Sequence, residues 1–187
     1  MSVSFKRKIQ WLVMCLGLFT AGALYMQSSH DFALSQRAMT EVSEGIEIGD
    51  RASEISLKSI NGEWVELKDF SNKKVLLIFF TTWCHVCAEQ WGQLEAAAAE
   101  GLLEDIEIVA VNLTKEEMNK GAIQTYADNL PLENLTILLD EDGFTQNSYR
   151  IYGIPTLFLI NNSGIIEERL HSLLKVEDMM ESSFFRH

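Results

Sequence analysis

An uncharged apolar run, Val75–Phe80 ("VLLIFF"), is followed within four residues by Cys84-His85-Val86-Cys87, and then by an alanine-rich stretch that ends near Gly101. A continuous apolar run of this length suits a strand buried on both faces. The stretch after the cysteines has high helix propensity, and a glycine is a common C-terminal stop. A second buried-strand pattern follows at Ile106–Leu113. Strand, helix, strand in this order demands a crossover and a parallel pair.

The flanking segments extend the sheet. Ile55–Lys58 and Trp64–Leu67 alternate around Asn61-Gly62, a hairpin signal. Leu135–Asp140 reads as a short strand and Gly143–Gly153 as a helix or helical turn. Pro155–Ile160, the turn Asn161–Gly164 and "IIEERL" form a second hairpin, and Lys175–Phe185 closes as a helix. Thr114, with Glu117 three residues on, has the form of a capping box opening a second helix, weakened by Gly121. The predicted fold is α/β: a central mixed sheet flanked by helices, with an added N-terminal β-hairpin.

At the other end, Lys6, Arg7 and Lys8 precede an uncharged run, Ile9–Met26. Eighteen helical residues at about 1.5 Å each span about 27 Å, close to a hydrocarbon core. Basic residues stay on the cytoplasmic side, so the remainder is expected outside the cytoplasm. Two readings stand. One is an uncleaved single-pass anchor, favoured because the run continues through Leu24, Tyr25 and Met26. The other is a signal peptide cut near Ala23, at Ala21-Gly22-Ala23, leaving a secreted or periplasmic protein. The expected organisation is a basic N-terminus (1–8), an anchor or signal peptide (9–26), a polar tether (27–45) and a folded domain (46–187).

With 47% hydrophobic and 22% charged residues, the chain is of the globular class. All 27 acidic residues lie from Asp31 onward, while three of the 15 basic ones stand at the front. A domain this acidic makes a poor nucleic-acid binder. Of the three cysteines, Cys15 lies in the apolar run, where Val13 and Met14 are too large for a lipoprotein signal. Cys84 and Cys87 remain for chemistry. Outside the cytoplasm such a pair spends part of its life oxidised. At the first turn of a helix, Cys84 meets the dipole and free N–H groups that favour a thiolate, and Cys87 lies one turn inside, within bonding reach. A bridge enclosing two residues restrains little of the unfolded chain, so it makes a poor structural staple.

The chain resembles the thioredoxin superfamily, and within it the membrane-anchored ResA/TlpA-like thiol–disulfide oxidoreductases, related to the AhpC/TSA redoxins. The stretch from Gly49-Asp50 through the first hairpin to Trp83-Cys84-His85-Val86-Cys87 carries the likeness, with "YRIYGIPTLFLINNSGII" (149–166). The resemblance implies Cys84 as nucleophile and Cys87 as resolving cysteine. It also implies a cis bond before Pro155, packed against the cysteines, with the Ile154 backbone pairing an extended substrate segment. Expected partners are a disulfide-bearing protein substrate, such as apocytochrome c or an envelope or spore protein, a membrane-spanning electron donor, and the membrane itself through the N-terminal helix. No nucleotide, haem or metal cofactor is implied.

The chain departs from the pattern at several places. Val86 replaces a frequent proline. His85 beside Cys84 is unusual, and a cationic imidazole there would lower the thiol pKa and make the pair more oxidising. Ile78 stands where thioredoxins bury an acid. ResA-like proteins tend to carry glutamate where this chain has Gln90; Glu89, one place earlier, is the candidate for proton handling but faces about 100° away. Two rival functions remain. Thr81 stands three residues before Cys84, as in a thiol peroxidase with antioxidant activity, but Leu77 occupies the place of the proline such sites carry. Copper binding or delivery would recruit His171, since His30 and His187 are scattered and a closed zinc site lacks its four ligands.

Overall fold

The computed structural model describes residues 11, 13, 14, 16–20, 42–132 and 134–186. The chain divides into two compact units, Met1–Val42 and Ser43–His187. In the first unit the described residues between 11 and 20 are helical, and Thr20 donates its hydroxyl hydrogen bond to Gly17 O at 3.0 Å. Among the described residues no helix is long and apolar enough to cross a membrane. The rest of the predicted anchor, and residues 27–41 of the tether, lie outside the described residues.

The second unit is built on a seven-stranded sheet. Its strands are β3 (Ser56–Ser59), β4 (Trp64–Glu66), β5 (Lys74–Phe80), β6 (Ile106–Asn112), β7 (Leu135–Leu139), β8 (Thr156–Ile160) and β9 (Ile166–Leu170). They lie in the order β4-β3-β7-β6-β5-β8-β9. β5, β6 and β7 are parallel; the pairs β3–β4, β3–β7, β5–β8 and β8–β9 are antiparallel. The mixed sheet and its hairpin are those expected from the sequence. A separate two-stranded parallel sheet joins β1 (Glu44–Gly45) to β2 (Arg51–Ala52). Regular pairing thus begins two residues before Ile46, because Glu44 and Gly45 meet Arg51 and Ala52 across the Gly49-Asp50 turn.

The period-two geometry of β5 distributes the core. Leu76, Ile78 and Phe80 enter one buried cluster with Cys87, Trp91, Leu94 and Ala97 of helix α1 (His85–Ala99). Val75, Leu77 and Phe79 enter the other, with Tyr149 and Phe158. Ile78, at the place of the thioredoxin acid, is fully buried in the first. Removing a side chain such as Leu94 to Ala costs about 2–5 kcal/mol in a site packed this way. Helix α1 ends as the sequence predicts. Gly101 takes φ +76°, Leu102 N–H donates to Ala97 O and Gly101 N–H to Ala98 O, closing the last turn.

The capping box expected at Thr114 does not form. Thr114–Glu116 is a single 3-10 turn, and helix α2 (Ala122–Ala127) starts only after Gly121. The Thr114 hydroxyl turns back to Asn112, and the Glu117 carboxylate points away to Thr82 and Asn112. Tertiary donors have displaced the local cap. Two further helices, α3 (Phe144–Ser148) and α4 (Val176–Glu181), complete the unit, with α4 packed on α1.

Candidate active site

β5 and β6 run parallel with Phe80 opposite Asn112, so the residues that follow both strands gather at one edge of the sheet. That edge carries the two cysteines. Cys84 is the N-cap of α1, and its sulfur accepts the Cys87 N–H at 3.1 Å. A disulfide joins Cys84 to Cys87, with Cα atoms 5.2 Å apart. Cys84 is 7% exposed and Cys87 fully buried, so an incoming group reaches Cys84 first.

The turn before β8 closes on the pair. The Ile154–Pro155 peptide is cis, and the Cys84 sulfur lies 3.9 Å from Ile154 O. The buried Thr156 hydroxyl donates to Gly153 O at 2.7 Å. Its oxygen lies 3.3 Å from His171 Nδ1, which therefore carries the donated proton. A cleft of about 320 Å³ runs beside the cysteines, lined in part by Thr81, Trp83, Tyr152, Gly153 and Ile154. Trp83 and Val86 are half exposed, and Tyr152 and Met118 are exposed. The Trp83 indole donates to Glu116 O at 3.2 Å, which fixes the ring over the loop after β6. The Thr81 hydroxyl is buried without a hydrogen-bond partner among the described residues.

The other residues singled out in the sequence fall into two groups. His85 and Glu89 sit one turn apart on the exposed face of α1, with Nε2 and Oε1 3.5 Å apart. Gln90 is fully buried: its amide donates to Leu174 O at 2.9 Å and its oxygen accepts Leu174 N–H at 2.8 Å. Trp91 packs edge-on to Phe80 and donates to the Tyr126 hydroxyl at 3.0 Å. For the copper alternative, no group of three or more His, Cys, Asp or Glu is placed to hold a metal ion among the described residues.

Glu117 was not singled out as a site residue. It is 9% exposed, and its two oxygens accept Thr82 N–H, the Thr82 hydroxyl and the Asn112 amide, each at 2.7 Å. The signal that locates it is topological. In a parallel sheet the segments after adjacent strands share an edge, so an acid following β6 lies near residues following β5.

A cysteine pair opening a helix, set against a cis-proline turn at one edge of a mixed sheet, defines a thioredoxin-like fold with a redox-active dithiol. The chain belongs to the AhpC/TSA family, which matches residues 48–169. Among curated relatives, the thioredoxin-like protein YneN of Bacillus subtilis is 33% identical over 124 residues, 66% of this chain and 71% of that protein. The thiol-disulfide oxidoreductase ResA of the same species is 31% identical over 122 residues, 65% of each chain. The crystal structure of StoA from Bacillus subtilis superposes with a TM-score of 0.57 at 28% identity, covering 69% of this chain and 95% of that one.

Proposed function

We infer that this chain is an extracytoplasmic thiol–disulfide oxidoreductase that reduces disulfides in protein substrates. One observation carries the reading: the Cys84–Cys87 disulfide stands at the N-terminus of α1, with Cys84 slightly exposed and Cys87 fully buried. The similarity to ResA, a protein named for this activity, supports it. In the reductive direction the Cys84 thiolate attacks one sulfur of a substrate disulfide. That S–S bond breaks, a mixed disulfide forms, and the departing substrate sulfur takes up a proton. The Cys87 thiol then loses its proton and attacks the Cys84 sulfur. The second substrate sulfur leaves and is protonated, and two electrons have passed from protein to substrate. The Cys87 N–H donated to the Cys84 sulfur, with the α1 dipole, favours the attacking thiolate.

Regeneration needs an external dithiol, which we assign to a membrane-spanning electron donor. The basic cluster Lys6–Lys8 and the apolar run to Met26 support anchoring with the redox unit outside the cytoplasm. The half-exposed Trp83 and exposed Tyr152 flank the cleft with apolar surface suited to a polypeptide substrate. Apocytochrome c and envelope or spore proteins are the substrates to try first.

Equilibrating the chain across glutathione ratios, with alkylation and mass spectrometry, tests the reading. A potential near or below about −250 mV fits a reductase, and one near about −120 to −180 mV an oxidant or isomerase. Cys84→Ser should abolish turnover. Cys87→Ser should accumulate a mixed disulfide with substrate, seen as a non-reducing gel shift; normal turnover by that variant would reverse the assigned roles. A second reading, thiol peroxidase, has the buried, unpartnered Thr81 hydroxyl in its favour. Peroxide consumption by the reduced chain, lost in Cys84→Ser, would establish it.

A further inference from the structure

Glu117 is a buried acid without a cation. Among the described residues no Lys, Arg or His forms an ion pair with it. Burying a carboxylate is costly unless donors replace its water. Here three neutral donors do so: both polar hydrogens of Thr82 and one of Asn112. Asn112 is in turn held by the Thr114 hydroxyl, 2.9 Å from its side-chain oxygen. The cluster grips the chain at Thr82, two residues before Cys84.

The geometry alone does not require the charge. A glutamine would accept from Thr82 N–H and Asn112 through its oxygen. Its amide would donate to the Thr82 hydroxyl, which needs only to rotate. What the carboxylate adds is a fixed negative charge at the base of the Thr81–Trp83 segment. Tyr126, whose hydroxyl accepts from Trp91 of α1, has its pKa raised chiefly by burial, against a lowering by the Trp91 hydrogen bond and with a further rise from the Glu117 charge.

We propose that Glu117 is a positioning residue of the dithiol reaction. Its buried carboxylate brackets Thr82, sets the approach of the Thr81–Trp83 segment to Cys84, and holds a negative charge there that favours the disulfide over the dithiol. The inference rests on the oxidoreductase reading and concerns its direction. Reduction by glutathione converts one protein disulfide and two glutathione thiols into the dithiol and one glutathione disulfide. A negative charge held at Thr82, two residues before Cys84, opposes the thiolate, destabilises the reduced product and makes the pair a better reductant.

The test compares the full chain with Glu117→Gln in the glutathione equilibrium. Loss of the charge should move the equilibrium toward the dithiol by about threefold or more, as removal of one unit charge through a partly buried medium implies. Thermal melts of both should be alike, since the three hydrogen bonds persist. An unchanged equilibrium in a folded Glu117→Gln overturns the proposal and leaves the oxidoreductase reading standing. Failure of the parent chain to form a reversible disulfide overturns both. Should the variant not fold, the parent still decides: the carboxyl carbon resonance of Glu117 should move on reduction, and identical shifts in both redox states would overturn the proposal.

Discussion

Two side-chain amides tie the cysteine helix to the last part of the chain: Gln93 accepts Val176 N–H at 2.9 Å, and Gln90 bonds Leu174 twice. Gln90, fully buried, donates to Leu174 O and accepts from Leu174 N–H. A glutamate here would set a carboxylate oxygen against Leu174 O with no proton between them. Gln90→Glu should therefore cost about 1–3 kcal/mol in urea denaturation. The deficit should shrink in acid, where the new carboxyl protonates and donates again. This bond also explains how the chain differs from the glutamate the resemblance suggests: at Gln90 the side chain serves packing, and the buried acid of the site comes from Glu117 on another element. Cys84 and Cys87 were legible because a short local motif carries them, and Pro155 through the family resemblance of Gly153–Thr156. Glu117 was not, since Thr114 and Glu117 have the spacing of a capping box and only the β5–β6 register reveals the better donors at Thr82 and Asn112.

Between β7 and α3, Asp140 shares the capping of a short helix with Asp142, whose carboxylate accepts Phe144 N–H at 2.8 Å. The Asp140 carboxylate accepts Thr145 N–H at 3.3 Å and Gln146 N–H at 2.7 Å, while Gly143, at φ +75°, turns the chain between them. Burial raises the Asp140 pKa above its ordinary 3.8, against the lowering effect of those two bonds. A carboxyl whose folded pKa is raised contributes stability that is fully present below 3.8 and is lost as pH rises through the folded value. Asp140→Asn removes that titration. The stability difference between parent and variant should shift in favour of the variant as pH rises from about 3.8. Denaturant midpoints for the pair across pH check this, and a difference independent of pH would count against it. The helical tendency of 143–153 was legible, but its five-residue extent was not, because two of its first N–H groups are held by Asp140, outside the predicted segment.

Over the whole molecule, the chain's end closes its centre. Lys74 at the start of β5 donates to Phe184 O at 2.6 Å and Arg186 O at 3.3 Å. Phe184 and Phe185 are buried beside each other, ring centroids 5.1 Å apart, in the cluster that holds Cys87. Phe185→Ala should cost about 3–5 kcal/mol, visible as an early thermal transition in both redox states. The sequence placed Phe184 and Phe185 in a closing helix. They lie instead just beyond α4, which stops at Glu181, so core packing rather than helix periodicity positions them.

The central strand has a consequence for the chain's manufacture. Between Val75 and Trp83 there is no charge, and the segment is rich in β-branched and aromatic residues. In the finished sheet both its edges are covered, by β6 and by β8, with Phe79 opposite Thr156. On a ribosome β5 emerges long before β8, by several seconds at ordinary rates of about 5–20 residues per second. During that interval it is a bare, sticky template for self-association, with Lys73 and Lys74 as its nearest gatekeepers. Yield of this protein will therefore depend on how well the nascent chain is chaperoned until β8 has been made.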